Sequence, residues 1–167
     1  MIIYYLGIPL LMLAAVIDSS VLVEIRYLNG QPSLLLMMIV AWGLLNSLGD
    51  GLAWAFIGGI FADLMSATPT GTSSLGYSLA LIVLAITMGR VGRRNLILPL
   101  IAGAIATVIL QSVTFGVLAV NGYSLPIRPV ITTWMLPSMI FNALGIILVF
   151  RIMGGIIEFF RPPKVTL

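Results

Sequence analysis

Six long apolar runs, separated by short polar breaks, constrain this chain more than any other feature. They fall at 2–23, 34–48, 52–65, 75–88, 96–120 and 134–150. A run of about 20 apolar residues is what a helix needs to cross a hydrocarbon core of about 30 Å, so the chain reads as an all-α, polytopic membrane bundle in one domain. Composition agrees: 60% of residues are apolar, 8% are charged and the mean hydropathy is +1.19. With 167 residues, little chain remains for a soluble domain. The first run has neither a basic start nor a small-residue cleavage site, and it is read as a span.

The second and third runs are short for a crossing. They can form a tight pair, a re-entrant hairpin or one broken span, and the turn chemistry of Asn46-Ser47-Leu48-Gly49-Asp50-Gly51 favours a hairpin. Basic residues near span ends are retained on the cytoplasmic side. Arg90, Arg93 and Arg94 follow the fourth run, and Arg151, Arg161 and Lys164 follow the sixth. With six spans these groups share one side, which leaves only Arg26 and Arg128 opposite. Both termini are therefore expected to be cytoplasmic, with 151–167 a cytoplasmic or interfacial tail that Pro162 and Pro163 end.

Cys and His are absent, which excludes disulfides, thiolate nucleophiles, imidazole bases and most zinc sites. Catalytic, cofactor-binding and metal-binding residues are expected to be none. Asp50 and Asp63 lie near the glycines that phosphotransferases of CDP-alcohols carry, but Trp54 and Ala55 stand where that motif needs its Ala-Arg pair. Thirteen residues on one helix would also separate the two carboxylates by about 20 Å. A net charge of +3 on a membrane protein calls for no nucleic acid.

Asp63 stands out as a carboxylate at the end of an apolar run. Its bland role is a carboxylate hydrogen-bonded to nearby hydroxyls or backbone, and its functional role is a charge held for a partner. Beside it, Gly58, Gly59 and Ala62 form a small-residue face, as do Ala102, Gly103, Ala106 and Thr107 in the fifth run. Such faces let helices approach closely, more often inside a bundle than between proteins. Arg90, Arg93 and Arg94 are a candidate cytoplasmic basic patch, with topology and anionic lipid the bland account. Arg128, between Pro126 and Pro129, belongs to a stiff outer loop. Gln111 and Ser112 are polar at depth, and Trp42, Trp54 and Trp134 are placed as interface anchors or pocket walls.

The stretch around 51–71 resembles the signature of the rod shape-determining protein MreD family. It has an aromatic residue, a Gly-x-x-x-x-Asp-Leu core at 58–64, then Ser66, Pro69 and Gly71, and a Gly-Arg-x-Gly-Arg-Arg turn follows at 89–94. The resemblance implies a non-enzymatic scaffold subunit of the cell-elongation and peptidoglycan-synthesis machinery in the bacterial cytoplasmic membrane. Implied partners are the single-span protein MreC, the MreB filament, a RodA-type glycan polymerase and its class B transpeptidase. It further implies a fold similar to the six-helix substrate-binding (S) component of energy-coupling-factor importers, and the alternative function is such a vitamin-importer subunit. On this expectation the interface comprises Gly58, Gly59, Ala62, Asp63, Pro69 and Gly71, with MreC's helix packed on the small-residue face.

Overall fold

A computed structural model describes residues 2–22, 30–88, 96–124 and 126–159, with side chains from residue 7 onward. Arg90, Arg93 and Arg94 lie outside the described residues, as do Glu24, Arg26, Arg161 and Lys164. Among the described residues the fold is all-helical. Its six helices are α1 (Ile2–Ser20), α2 (Leu34–Leu45), α3 (Leu48–Leu64), α4 (Thr72–Met88), α5 (Ile97–Val120) and α6 (Ile127–Phe159). The last contains a π-helical stretch, Val130–Met135. Two helices, α5 and α6, are long and apolar enough to cross a membrane.

Local chemistry explains the ends. Ser33 and Ser47 sit in extended conformation before α2 and α3, and their hydroxyls accept from the backbone N–H of Leu36 and Asp50. These are N-caps, and Asp50 completes the second by accepting from the Ser47 hydroxyl at 2.6 Å. The cap at Ser47 starts α3 four residues before the apolar run at 52, because capping chemistry rather than hydropathy sets the boundary. At its other end α6 continues through Arg151, Gly154 and Gly155, which do not interrupt helical hydrogen bonding.

Side-chain pairings fix the register. Gly43 meets Gly51, Trp42 stacks on Trp54, and Gly58 meets Leu35 and Ile39, so α2 and α3 run antiparallel. Gly7 meets Trp54, Leu11 meets Gly58 and Ser19 bonds Met65, so α1 and α3 run parallel. The chain then alternates in direction through α6. At the centre lies α2, which touches every other helix and is buried from Leu35 through Trp42. A helix apolar all round is stable only when enclosed on every side, and α2 is enclosed by protein.

Two of the three tryptophans depart from the sequence expectation. Trp42 and Trp54 are core residues, with ring centroids 4.1 Å apart and planes within 7° of parallel. Trp134 is half-exposed. The stack spans the α2–α3 hairpin, and Gly7 on α1 leaves room for the Trp54 ring.

Candidate functional site

Asp63 ends α3 as a buried residue. One carboxylate oxygen accepts from the backbone N–H of Gly71 at 2.6 Å and the other from that of Ser73 at 2.9 Å. Helix N-termini carry unpaired N–H groups and partial positive charge, and a carboxylate satisfies both. Gly71 adopts φ +96°, a left-handed conformation that side chains disfavour, and this lets the chain double back into α4. The Thr72 hydroxyl donates to the Pro69 carbonyl at 2.6 Å, tightening the same turn. The Asp-Leu-x-Ser-x-x-Pro-x-Gly run thus has a physical meaning: it closes the α3–α4 hairpin.

The adjacent glycines serve the same hairpin. A Cβ on Gly59 would lie 2.3 Å from Ser74 Cα, and one on Gly58 would lie 2.9 Å from Ile39 Cδ1. Both glycines are buried in contacts within the bundle, so no partner helix can reach that face without opening it. Of the expected interface residues, Gly58 packs against α1 and α2 and Gly59 against α4. Ala62 and Pro69 are partly buried, and Gly71 is exposed. The second small face, Ala102 to Thr107, is likewise buried, with Gly103 against Ile146 and the Asn142 backbone.

A second carboxylate repeats the device at the same end of the bundle, and sequence reasoning gave it no role. Asp18, near the end of α1, accepts from the Ser33 hydroxyl at 2.8 Å and from the backbone N–H groups of Leu34 and Leu35 at 2.7 and 3.1 Å. The cluster continues into α5 and α6. The Ser33 N–H donates to Asn142 Oδ1 at 2.8 Å, Asn142 Nδ2 donates to Thr107 Oγ1 at 3.1 Å, and the Gln31 N–H donates to Ser138 Oγ at 2.9 Å. Four helices meet in this one polar network, and a fully paired network rigidifies a core. Ser33 immediately before an apolar run was a legible cap signal. Asp18 was not, since its donors lie fifteen or more residues away.

Both carboxylates accept hydrogen bonds from the backbone N–H groups at helix starts. A cavity of about 210 Å³ lies at the opposite end, lined by Gly43, Leu44, Asn46, Leu48, Leu81, Leu84 and Ala85. Its walls are mostly apolar.

A family model described as rod shape-determining protein MreD matches residues 1–159. The chain belongs to the MreD family. Membership makes it a membrane protein with a role in rod shape determination, and the signature that carried the resemblance is the Asp63-capped hairpin described above. No curated protein and no solved structure matches the chain, so the importer S-component fold is not shown.

Proposed function

We propose that this MreD-family chain is a non-enzymatic, multi-pass scaffold of the cell-elongation machinery in the bacterial cytoplasmic membrane, docking an MreC-like single-span protein. The family match over 1–159 carries this reading. The site chemistry supports it, because Asp18 and Asp63 hold helix ends together rather than facing a substrate. Both termini and the basic α4–α5 connection are assigned to the cytoplasm by the distribution of Lys and Arg. The capped ends of α1–α4 then face outward.

Docking is lateral. With Gly58 and Gly59 occupied, the partner helix packs on the exposed side of α3, where Phe56 and Leu64 stand out, and the 65–71 loop with Pro69 and Gly71 fixes its register. The MreB filament, a RodA-type polymerase and a class B transpeptidase are the wider assembly, and Arg90, Arg93 and Arg94 suit anionic lipid or an acidic cytoplasmic partner.

Affinity purification from native membranes after light crosslinking, read by mass spectrometry, tests the proposal. An MreC-like protein with cell-wall synthases is the expected company, and a transport subunit with paired ATPases refutes the scaffold. Photo-crosslinkers at Phe56 and Leu64 should capture the MreC-like protein, whereas one at Leu148 on α6 should not. Capture from Leu148 alone would move the interface to α6.

A further inference from the structure

The helices end at different heights. Hydrogen bonds from Ser33 to Asn142 and from Gln31 to Ser138 place the start of α2 level with the middle of α6. Asp18 bonds the same turn of α2, and the Ser19 hydroxyl bonds the Met65 sulfur, so α1 and α3 end at that level too. Asp63 ties the start of α4 to the end of α3, and Gly76 meets Leu110, so α4 begins about one turn past that contact along α5. Beyond this level α6 continues from Ser138 out to Ile127, about 16 Å of helix. The pairs Asn142–Thr107 and Ile146–Gly103 put Gln111 level with Ser138, so α5 continues to Val120 for about 14 Å past that level and about 9 Å past the start of α4. Across 112–136, Val130 is the one buried residue among the described ones. The α5–α6 hairpin therefore stands past the ends of α1–α4 as a mostly exposed arm.

Sequence places this arm in hydrocarbon. α5 is apolar along most of its 24 residues, and on α6 no charge interrupts the stretch between the exposed Arg128 and Arg151. That stretch is about 33 Å of helix, close to a hydrocarbon thickness of about 30 Å. The two arginines then mark the membrane surfaces. Asn142 lies about 14 Å from Arg151 along the helix, near mid-membrane, and the ends of α1–α4 lie there with it. The 65–71 loop at that depth exposes Ser66, Ala67, Thr70 and Gly71. Irregular backbone at membrane depth is tolerated where protein or water covers it, never against lipid tails.

We propose that α1–α4 stop near mid-membrane and that the step up to the α5–α6 arm is a hydrated notch in one leaflet, floored by the 65–71 loop. The leaflet thins there, as bilayers do over short apolar elements, and water with phospholipid headgroups reaches the floor. The proposal rests on the family's membrane setting but on neither MreC nor the orientation of the termini.

The absence of native cysteine makes single-cysteine labelling clean. Ala67→Cys and Thr70→Cys probe the floor, Gly116→Cys and Ile131→Cys probe the arm, and Leu144→Cys on the exposed face of α6 probes lipid at nearly the floor's depth. The variants are placed in phospholipid nanodiscs, where a charged methanethiosulfonate reaches both membrane faces, so a reversed topology leaves the result unchanged. Thiolate, which forms in water and not in hydrocarbon, attacks the reagent's sulfur and displaces methanesulfinate as the disulfide forms, so floor positions should react at least about tenfold faster than the arm and Leu144→Cys. Arm positions reacting as fast as the floor would mean that the arm stands in water, and a floor as slow as Leu144→Cys would mean that it is sealed. Either result overturns the notch. The unsubstituted protein gives a second readout, because Trp134 is exposed while Trp42 and Trp54 are buried. Lipids brominated in their chains should quench its fluorescence more than aqueous iodide does, and the reverse order refutes an embedded arm.

Discussion

Gly59→Ala is the sharpest test of how this bundle is held together. The added methyl would sit 2.3 Å from Ser74 Cα and 2.4 Å from Ser74 N, about 1 Å short of ordinary contact, and both atoms are backbone. No rotamer change relieves such a clash, so α3 and α4 must separate. Overpacking of this kind costs about 1–3 kcal/mol, and the backbone neighbours put it at the upper end. The gain from replacing glycine by alanine in a helix is about 1 kcal/mol, which leaves a net loss of about 2 kcal/mol. Gly116→Ala in α5 is the internal control: nothing lies within 4 Å of its added Cβ, so the propensity gain stands alone. Equilibrium unfolding in mixed micelles at increasing SDS fraction measures both, with fluorescence of the Trp42–Trp54 stack as the signal. The reasoning fails if the two variants unfold at the same SDS fraction. Gly59→Leu, for the same reason, tests the bundle and not the partner interface.

Asp63→Ala strands the N–H groups of Gly71 and Ser73 and should cost about 2 kcal/mol in the same assay, with Asp63→Asn losing less because one acceptor remains. Asp18→Ala removes the acceptor for three donors and should destabilise more than Asp63→Ala; equal losses would show that the wider network adds nothing. Trp42→Phe removes a buried indole N–H that has no hydrogen-bond partner and keeps an aromatic ring against Trp54, so stability should change by less than about 1 kcal/mol, and a large loss would reveal a missing partner for that N–H.

The helices were legible because each is an apolar run ended by Ser, Gly, Pro or Asn, whose turn chemistry is local. Their exact ends were less so. α4 starts at Thr72 rather than 75 because a carboxylate nine residues earlier caps it, and α6 starts well before 134 because Pro129 lies in its first turn, where a missing N–H costs nothing. The Asp63 hairpin was marked by the family resemblance, and a carboxylate hydrogen-bonded to nearby backbone was one of its two expected roles; that its donors are Gly71 and Ser73 was not legible. The Asp18 cluster was beyond reach because α1, α2, α5 and α6 all contribute to it, and no sequence period links 18, 33, 107 and 142. Trp42 and Trp54 misled because amphipathic rings near the ends of apolar runs look alike whether they meet headgroups or one another.

The enclosure of α2 has a consequence for how the chain enters a membrane. Its 12 residues make about 18 Å of helix, too short to settle across a bilayer alone, and its sides are meant for protein rather than lipid. It must be delivered with its neighbours, as the returning half of a hairpin. Once it is there, exchanging lipid contacts for protein contacts yields no hydrophobic gain, so what retains it is closeness of fit. Substitutions along α2 should therefore be judged by volume: a polar group that fits will be tolerated better than a larger apolar one that does not.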